Sequence, residues 1–450
     1  MNNKNGINNN MLLTLALMAL VVLGWQYFVV RPEMKTEQAH QAALAHQEKT
    51  HPLTPGAGAN VPGMALSSTH MGRDAALKVE GARVAIDSPL LDGSIALKGA
   101  KFDDLRLKKY RETTNPKSPE IVLLAPKSTD FPYYAEFGWV GAPDMPSDQS
   151  VWQQQGSGAL SPGHPVTLSW DNGHGLIFTR VISVDDQYMF NVADSVTNNS
   201  LGAQTLYPFA YVAREGVPKE QTSWVLHQGF VGVANGSETD ANYTDFKDEG
   251  APAKTFSSTG GWVGITDKYW MAAIIPPQSQ NFDASYLGAT TPGDVKAYQA
   301  NYRLPARVIA PGGTAQVSHR LFAGAKVVDI LRGYEKSQGI ARFDNAVDWG
   351  WFWFLTQPLF WLLDIFYKFI GNFGIAILML TVVVKLLFFP LANASFKSMS
   401  KMKKVQPHME EIRKVHKEDP QRQQKEIMEL YKREKVNPVA GCVPMLIQIP

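Results

Sequence analysis

One charged residue, Lys385, interrupts the apolar run GNFGIAILMLTVVVKLLFFPL of residues 371–391. Placing an ammonium in hydrocarbon costs roughly 2.5–3.5 kcal/mol at the centre of a span and less near its end, so something has to offset it. Thr381 stands four residues earlier, one turn away on the same face if the run is helical. Two readings follow. In the first, the lysine stem snorkels and holds its tip among the near headgroups. In the second, Lys385 and Thr381 form a polar stripe that faces a water-filled groove. The residues alone leave both open.

A second charged feature follows at once. Lys397, Lys401, Lys403 and Lys404 come before any acid, and 12 Lys or Arg stand against 7 Asp or Glu between Lys397 and Lys435. The whole chain carries only +2, so this basic block is local. Lys401, Lys403, Lys404, Arg413, Lys414 and Arg422 are candidates for contact with anionic phospholipids or with the phosphates of a ribosome. The positive-inside rule by itself also accounts for the charge. Met399, Met402, Met409, Ile412 and Val415 recur at helical intervals, Ile427, Leu430 and Tyr431 form a second stripe, and Pro420 marks a turn. That pattern predicts an antiparallel helical hairpin over 392–438. Ahead of the apolar run, Trp349, Trp351, Trp353 and Trp361 supply four of the 11 tryptophans within residues 343–369, the density expected of interfacial anchors. Asp348, Asp364 and Lys368 argue against a full crossing there, and Pro358 is expected to kink or end a helix.

The rest of the chain offers little chemistry. It contains no GxxxxGK[ST], HExxH or GxSxG, which removes the common phosphate-loop, zinc-protease and serine-hydrolase signatures. Asp103 with Asp104 would point to opposite faces of a strand, and Asp185 with Asp186 fall in a probable hairpin turn. His40, His46, His51 and His70 match no metal-ligand spacing, and His164, His174, His227 and His319 are scattered singly. No cofactor or metal is implied, and a lone Cys442 cannot form an internal disulfide.

These residues need particular elements to hold them. With 450 residues there is room for about three structural units, and 45% hydrophobic against 19% charged residues leans toward a membrane. Residues 11–30 carry no charge and are long enough to span as an uncleaved signal anchor, after a cytoplasmic tail over 1–10. Residues 370–391 form a second span. The lysines after it set its end in the cytoplasm, so 31–370 lie outside, which in a Gram-negative bacterium would be the periplasm. Residues 31–75 read as a flexible linker. Residues 76–340, with runs such as PVTLSW, LIFTRVIS and YMFNVADSV between turn signals, predict an antiparallel β-sandwich of well over ten strands, closed by a helix near Val327 to Glu335. Residues 343–369 read as an interfacial amphipathic aromatic helix, and 439–450, VAGCVPMLIQIP, as the truncated start of a third span.

The sequence resembles the YidC-type membrane protein insertases of Gram-negative bacteria. The stretches LSWDNGHGLIFTRVISVDDQYMF, FAGAK, QPLF, FFPL, SMSKMKKVQP and KREKVNPVAGCVPMLIQIP carry the likeness. The resemblance implies a mutarotase-like periplasmic β-supersandwich, followed by an α-helical membrane core around a hydrophilic groove in the cell inner membrane. It puts Lys385 where the family has a groove arginine and Thr381 where it has a groove threonine, which favours the groove over snorkelling. It implies a chaperone and insertase, not an enzyme, acting on nascent membrane proteins alone or with the Sec translocon, receiving them from the ribosome or the translocon and needing no small-molecule substrate. The competing classes are a membrane-anchored periplasmic carbohydrate-active protein and a periplasmic docking subunit.

Overall fold

In Leu176–Val184 every second side chain is buried, and the antiparallel partner Met189–Asn198 answers it across a turn that holds Asp185 and Asp186. Asp185 fixes that turn, its Oδ1 accepting from the backbone N–H groups of Gln187 and Met189 and its Oδ2 from the Tyr334 hydroxyl. Period-two burial of this kind builds one face of a sheet. The computed structural model describes residues 61–62, 70–217, 227–246, 252–290, 295–350, 352–417 and 419–434. The expected tail and anchor over 1–30, most of the linker, Trp351 and the third span over 439–450 lie outside the described residues.

The chain divides into two units between Asp348 and Trp349. Among the described residues the first is a sandwich of two antiparallel sheets of 10 strands each, eight on the continuous path of one and nine on that of the other. One sheet runs Arg83–Asp87, Leu91–Ala96, Lys101–Arg111, Tyr133–Val140, Gln204–Glu215, Lys296–Arg303, Asn281–Thr290, Pro252–Thr259. The other runs Ser237–Glu238, Gly229–Ala234, Gly261–Thr266, Trp270–Ile275, Thr314–Ala325, Met189–Asn198, Leu176–Val184, Val166–Asp171, Gln153–Gln155. A continuous apolar core fills the space between them. Helix α1, Arg73–Val79, precedes the sandwich and α2, Val328–Gln338, closes it, burying Val328, Leu331 and Tyr334.

Polar contacts staple the sheets through this core. The Arg180 guanidinium pairs with both Asp194 oxygens at 2.7 and 2.8 Å and also donates to the Phe137 carbonyl in the facing sheet and to the Ala100 carbonyl in the turn before Lys101–Arg111. The Tyr133 hydroxyl donates to the Ile265 carbonyl at 2.7 Å and accepts from the Ala272 N–H. Tyr302 meets His319 Nδ1 at 2.6 Å. Burial pushes His319 down to about 4, so the ring is neutral at pH 7. Because the unfolded ring binds its proton near pH 6.5, stability contributed by the neutral ring is full above that pH and lost as pH falls toward 4. The loss amounts to about 3 kcal/mol. Burial pushes Asp103 the other way, up to about 8, and its contribution has the opposite slope over the same range. The histidine is therefore isolated by difference. The melting-temperature deficit of His319→Gln relative to the parent should shrink between pH 7 and pH 4.5, and a deficit independent of pH would sink the neutral-ring argument.

Several expectations change. Asp103 and Asp104 do not take opposite, independent environments. A bulge opposite Ser94 and Ile95 leaves Asp103 out of the strand register, and both carboxylates are buried, Asp103 paired with Arg83 and Asp104 with Arg73. The extra residue resets the alternation. The end of the predicted linker is held to the sandwich: Val61 packs beside Tyr134, Phe209 and Tyr211, the Pro62 carbonyl accepts from Gln299 at 3.1 Å, and α1 begins at Arg73. Residues 343–346, assigned above to the aromatic segment, form a 3-10 turn in the sandwich core, with Phe343 set edge-on against Trp262 and Phe322.

The second unit is helical. Helix α3, Trp353–Ile370, continues through Pro358. Proline there withholds one N–H, from the Phe354 carbonyl, and the helix carries on either side of the lost bond. Gly371 at φ +73° caps α3, a left-handed conformation that costs other residues more, and Asn372 then caps α4 by accepting from the Ile375 N–H at 3.2 Å. Helix α4, Phe373–Val415, is continuous through Pro390 and Pro407, so one helix carries both the expected span and the first arm of the hairpin. Helix α5, Pro420–Arg433, starts at the predicted turn, with Asp419 as its cap and Pro420 at its first position.

Candidate functional site

Helix α4 sets the geometry. Its 43 residues measure about 65 Å at 1.5 Å per residue. The window Phe373–Pro390 has a mean hydropathy of 2.3 and length enough to cross a membrane, which no other described helix has. Ala376 is buried and Leu380, Val384 and Phe388 are half-buried, a stripe at four-residue spacing. Thr381 and Lys385 fall on the next face round and are both exposed. The Thr381 hydroxyl donates to the Ile377 carbonyl at 2.8 Å, which satisfies its proton while leaving its lone pairs outward. Lys385 makes no ion pair among the described residues. A cation on an apolar helix with a hydroxyl beneath it can attract a carboxylate and hold water.

Beyond Pro390 the character of α4 changes. Val405 and Leu430 are buried against each other's helices, with Met402, Met409, Ile412 and Tyr431 around them. The Tyr431 hydroxyl meets Met409 Sδ at 3.3 Å, and His416 Nε2 meets Glu426 Oε2 at 3.0 Å near the turn. Met399 and Val415, placed on the apolar stripe by sequence, are exposed. Val405, which that stripe omitted, is its centre. The signal was available, since Val405 lies three residues after Met402 and four before Met409. Leu430→Asp should therefore separate α5 from α4 with little effect on the sandwich, read as faster proteolysis confined to the hairpin. Unchanged protection would remove the packing argument.

The basic residues lie outside that seam. Lys401, Lys403, Lys404, Arg413, Lys414 and Arg422 are all exposed. Arg422 approaches Glu426 at 3.5 Å, and the other five make no ion pair among the described residues. In α3, Trp353 and Trp361 are each 59% exposed, and Trp349 packs edge-on against Phe360 at 5.5 Å. Asp364 and Lys368 pair at 2.6 Å one turn apart, which neutralises the two charges of an otherwise apolar helix.

The comparisons with known proteins agree with this division. A family model described as YidC periplasmic domain matches residues 83–362, and one described as 60Kd inner membrane protein matches 365–450. The chain belongs to the YidC family. The membrane protein insertase YidC of Methylobacterium radiotolerans is 48% identical over 468 residues, a match covering 98% of this chain and 75% of that protein. The YidC of Bradyrhizobium diazoefficiens is 45% identical over 476 residues, covering 98% and 76%. Among solved structures, the galactose mutarotase related enzyme from Lactobacillus acidophilus aligns with 54% of this chain and 97% of its own at 10% identity and a TM-score of 0.36. The antiparallel sandwich thus falls within the YidC periplasmic-domain match, which ends inside α3, and α4 and α5 fall within the inner-membrane-protein match.

Proposed function

We propose that this inner-membrane insertase lowers the cost of moving a polar segment of a nascent membrane protein by offering it the Lys385 and Thr381 face of α4 as a wet path. A charged or polar segment pays most at the bilayer centre, and a groove that admits water part-way shortens the dry distance. The fixed ammonium attracts acidic side chains into that groove. The hydrophobic helix of the substrate then moves sideways into lipid, a step driven by removing apolar area from water. The observation that carries the reading is Lys385 itself, the one ionisable residue in the Phe373–Pro390 window, exposed and without a compensating carboxylate among the described residues.

The finer arrangement belongs to the same proposal. The sandwich faces the periplasm, the α4–α5 hairpin the cytoplasm, and the tryptophans of residues 349–361 anchor the outer headgroup region. The hairpin cations meet the phosphates of the ribosome or of anionic phospholipids, and substrates arrive from the ribosome directly or through the Sec translocon. Deleting residues 80–330 tests where the activity resides. Retained insertion of a small phage coat-type substrate is expected, and complete loss in a stably expressed protein would move the activity to the sandwich.

A further inference from the structure

The end of the sandwich from which the chain departs carries an aromatic loop that the insertion mechanism does not use. Asp348 is the last residue of this unit. Its Oδ2 accepts from the His227 backbone N–H at 3.2 Å, and two residues on, Gly229 pairs with Thr266 at the start of the turn 267–269. The same turn is tied to the strand that leads into α2, through Lys326 N–H to the Tyr269 carbonyl at 2.8 Å and through the pairing of Trp270 with Ala325. The exit point and this turn are therefore neighbours. Tyr269 is 53% exposed, with the Lys268 ammonium 5.0 Å from its ring centroid. Trp270 stands beside it at 5.5 Å and meets Tyr110 edge-on at 5.9 Å. Phe131, 49% exposed, lies at the same end, because Pro132 pairs with Glu215 next to Arg214, and Arg214 binds Asp267 at 2.5 Å.

We infer that the turn Lys268–Tyr269–Trp270, with Phe131, rests on the outer-leaflet lipid surface where the chain enters the membrane. Tyrosine and tryptophan gain most where the ring can be apolar and its polar edge wet, and a lysine beside them can meet lipid phosphate. Continuity supports the lipid as occupant, since the residues after Asp348 are WGWFWF and the apolar window of α4 follows within the next 42 positions. The inference rests on the membrane reading of the second unit.

The test uses the full chain in vesicles of phosphatidylethanolamine and phosphatidylglycerol, with Cys442→Ser as background and a bimane probe on one introduced cysteine. A nitroxide-bearing lipid is the quencher. Tyr269→Cys should lose most of its emission, as should Trp353→Cys in α3. Leu201→Cys is the matched control, fully exposed but at the opposite end, since Gln204 to Arg214 is ten steps of about 3.3 Å along one strand. Quenching at 269 and 353 but not at 201 supports the contact. Quenching at 353 alone overturns it and leaves the membrane reading intact, and equal quenching at 201 and 269 overturns an end-specific contact. No quenching at 353 would overturn both.

Discussion

Lys385→Glu should reduce insertion of a substrate with an acidic translocated tail by on the order of 10-fold or more, and leave a neutral-tailed substrate much less affected. At an effective dielectric near 20, a carboxylate about 5 Å from the ammonium is attracted by ~3 kcal/mol, and every 1.4 kcal/mol is a factor of ten. Reversing the sign turns that attraction into repulsion. Lys385→Arg keeps the charge and adds a planar fork, so it should retain activity. Lys385→Leu separates the groove from snorkelling. If the lysine only snorkels, an apolar replacement removes an insertion cost and should be harmless with every substrate. If it lines a groove, the leucine variant should fall selectively with acidic tails. Protease protection of the tail in proteoliposomes reads all three. Equal insertion of acidic and neutral tails by Lys385→Glu would end the electrostatic account.

Alternating strands showed in the sequence which face turns inward, whereas apolar runs without alternation showed only that a strand was there. Leu176–Val184 reads as a strand because one face of it is half-exposed. Gly229–Ala234, Gly261–Thr266 and nearly all of Trp270–Ile275 are buried on both faces, so their period carries no face information. Sheet order was equally hidden. Tyr133–Val140 pairs with Gln204–Glu215, far along the chain, and nothing local specifies that neighbour. The two prolines within α4 mark a different limit. Each proline removes one backbone hydrogen bond and the helix continues through both, with Val405, Met409 and Ile412 packed against α5 on the two sides of Pro407.

The candidate residues of α4 stand out in the sequence more than the sheet order does. An ammonium among valines and leucines is conspicuous in any one-dimensional reading, and so is a cluster of tryptophans beside it. What one dimension could not supply was the face. Helical geometry puts Thr381 and Lys385 one step round from the Ala376, Leu380, Val384 and Phe388 stripe, which the alignment of apolar letters does not distinguish from its neighbours. The same blindness displaced Met399 and Val415 onto the hairpin seam and left out Val405.

Asp194→Ala should destabilise the sandwich by about 3–5 kcal/mol, the cost of leaving a buried cation without its partner. Arg180 is 0% exposed and Asp194 2%, so water cannot replace the lost carboxylate. The guanidinium also lies 5.1 Å from the Trp152 ring and 5.8 Å from Phe137, contacts that fix it in place and stop it from turning toward solvent. At roughly 2–4 °C per kcal/mol for a domain of this size, the melting temperature should fall by about 10 °C. Replacing both partners by apolar residues, Arg180→Met with Asp194→Leu, removes the orphaned charge and should recover part of the loss. Full recovery is not expected, because the Ala100 and Phe137 carbonyls lose their donors, and an unpaired buried acceptor costs about 1–3 kcal/mol. The order parent, double variant, Asp194→Ala in thermal stability is the expected result. A double variant less stable than Asp194→Ala would mean that the arginine holds the two sheets together chiefly through those carbonyls, and that the ion pair serves only to place it.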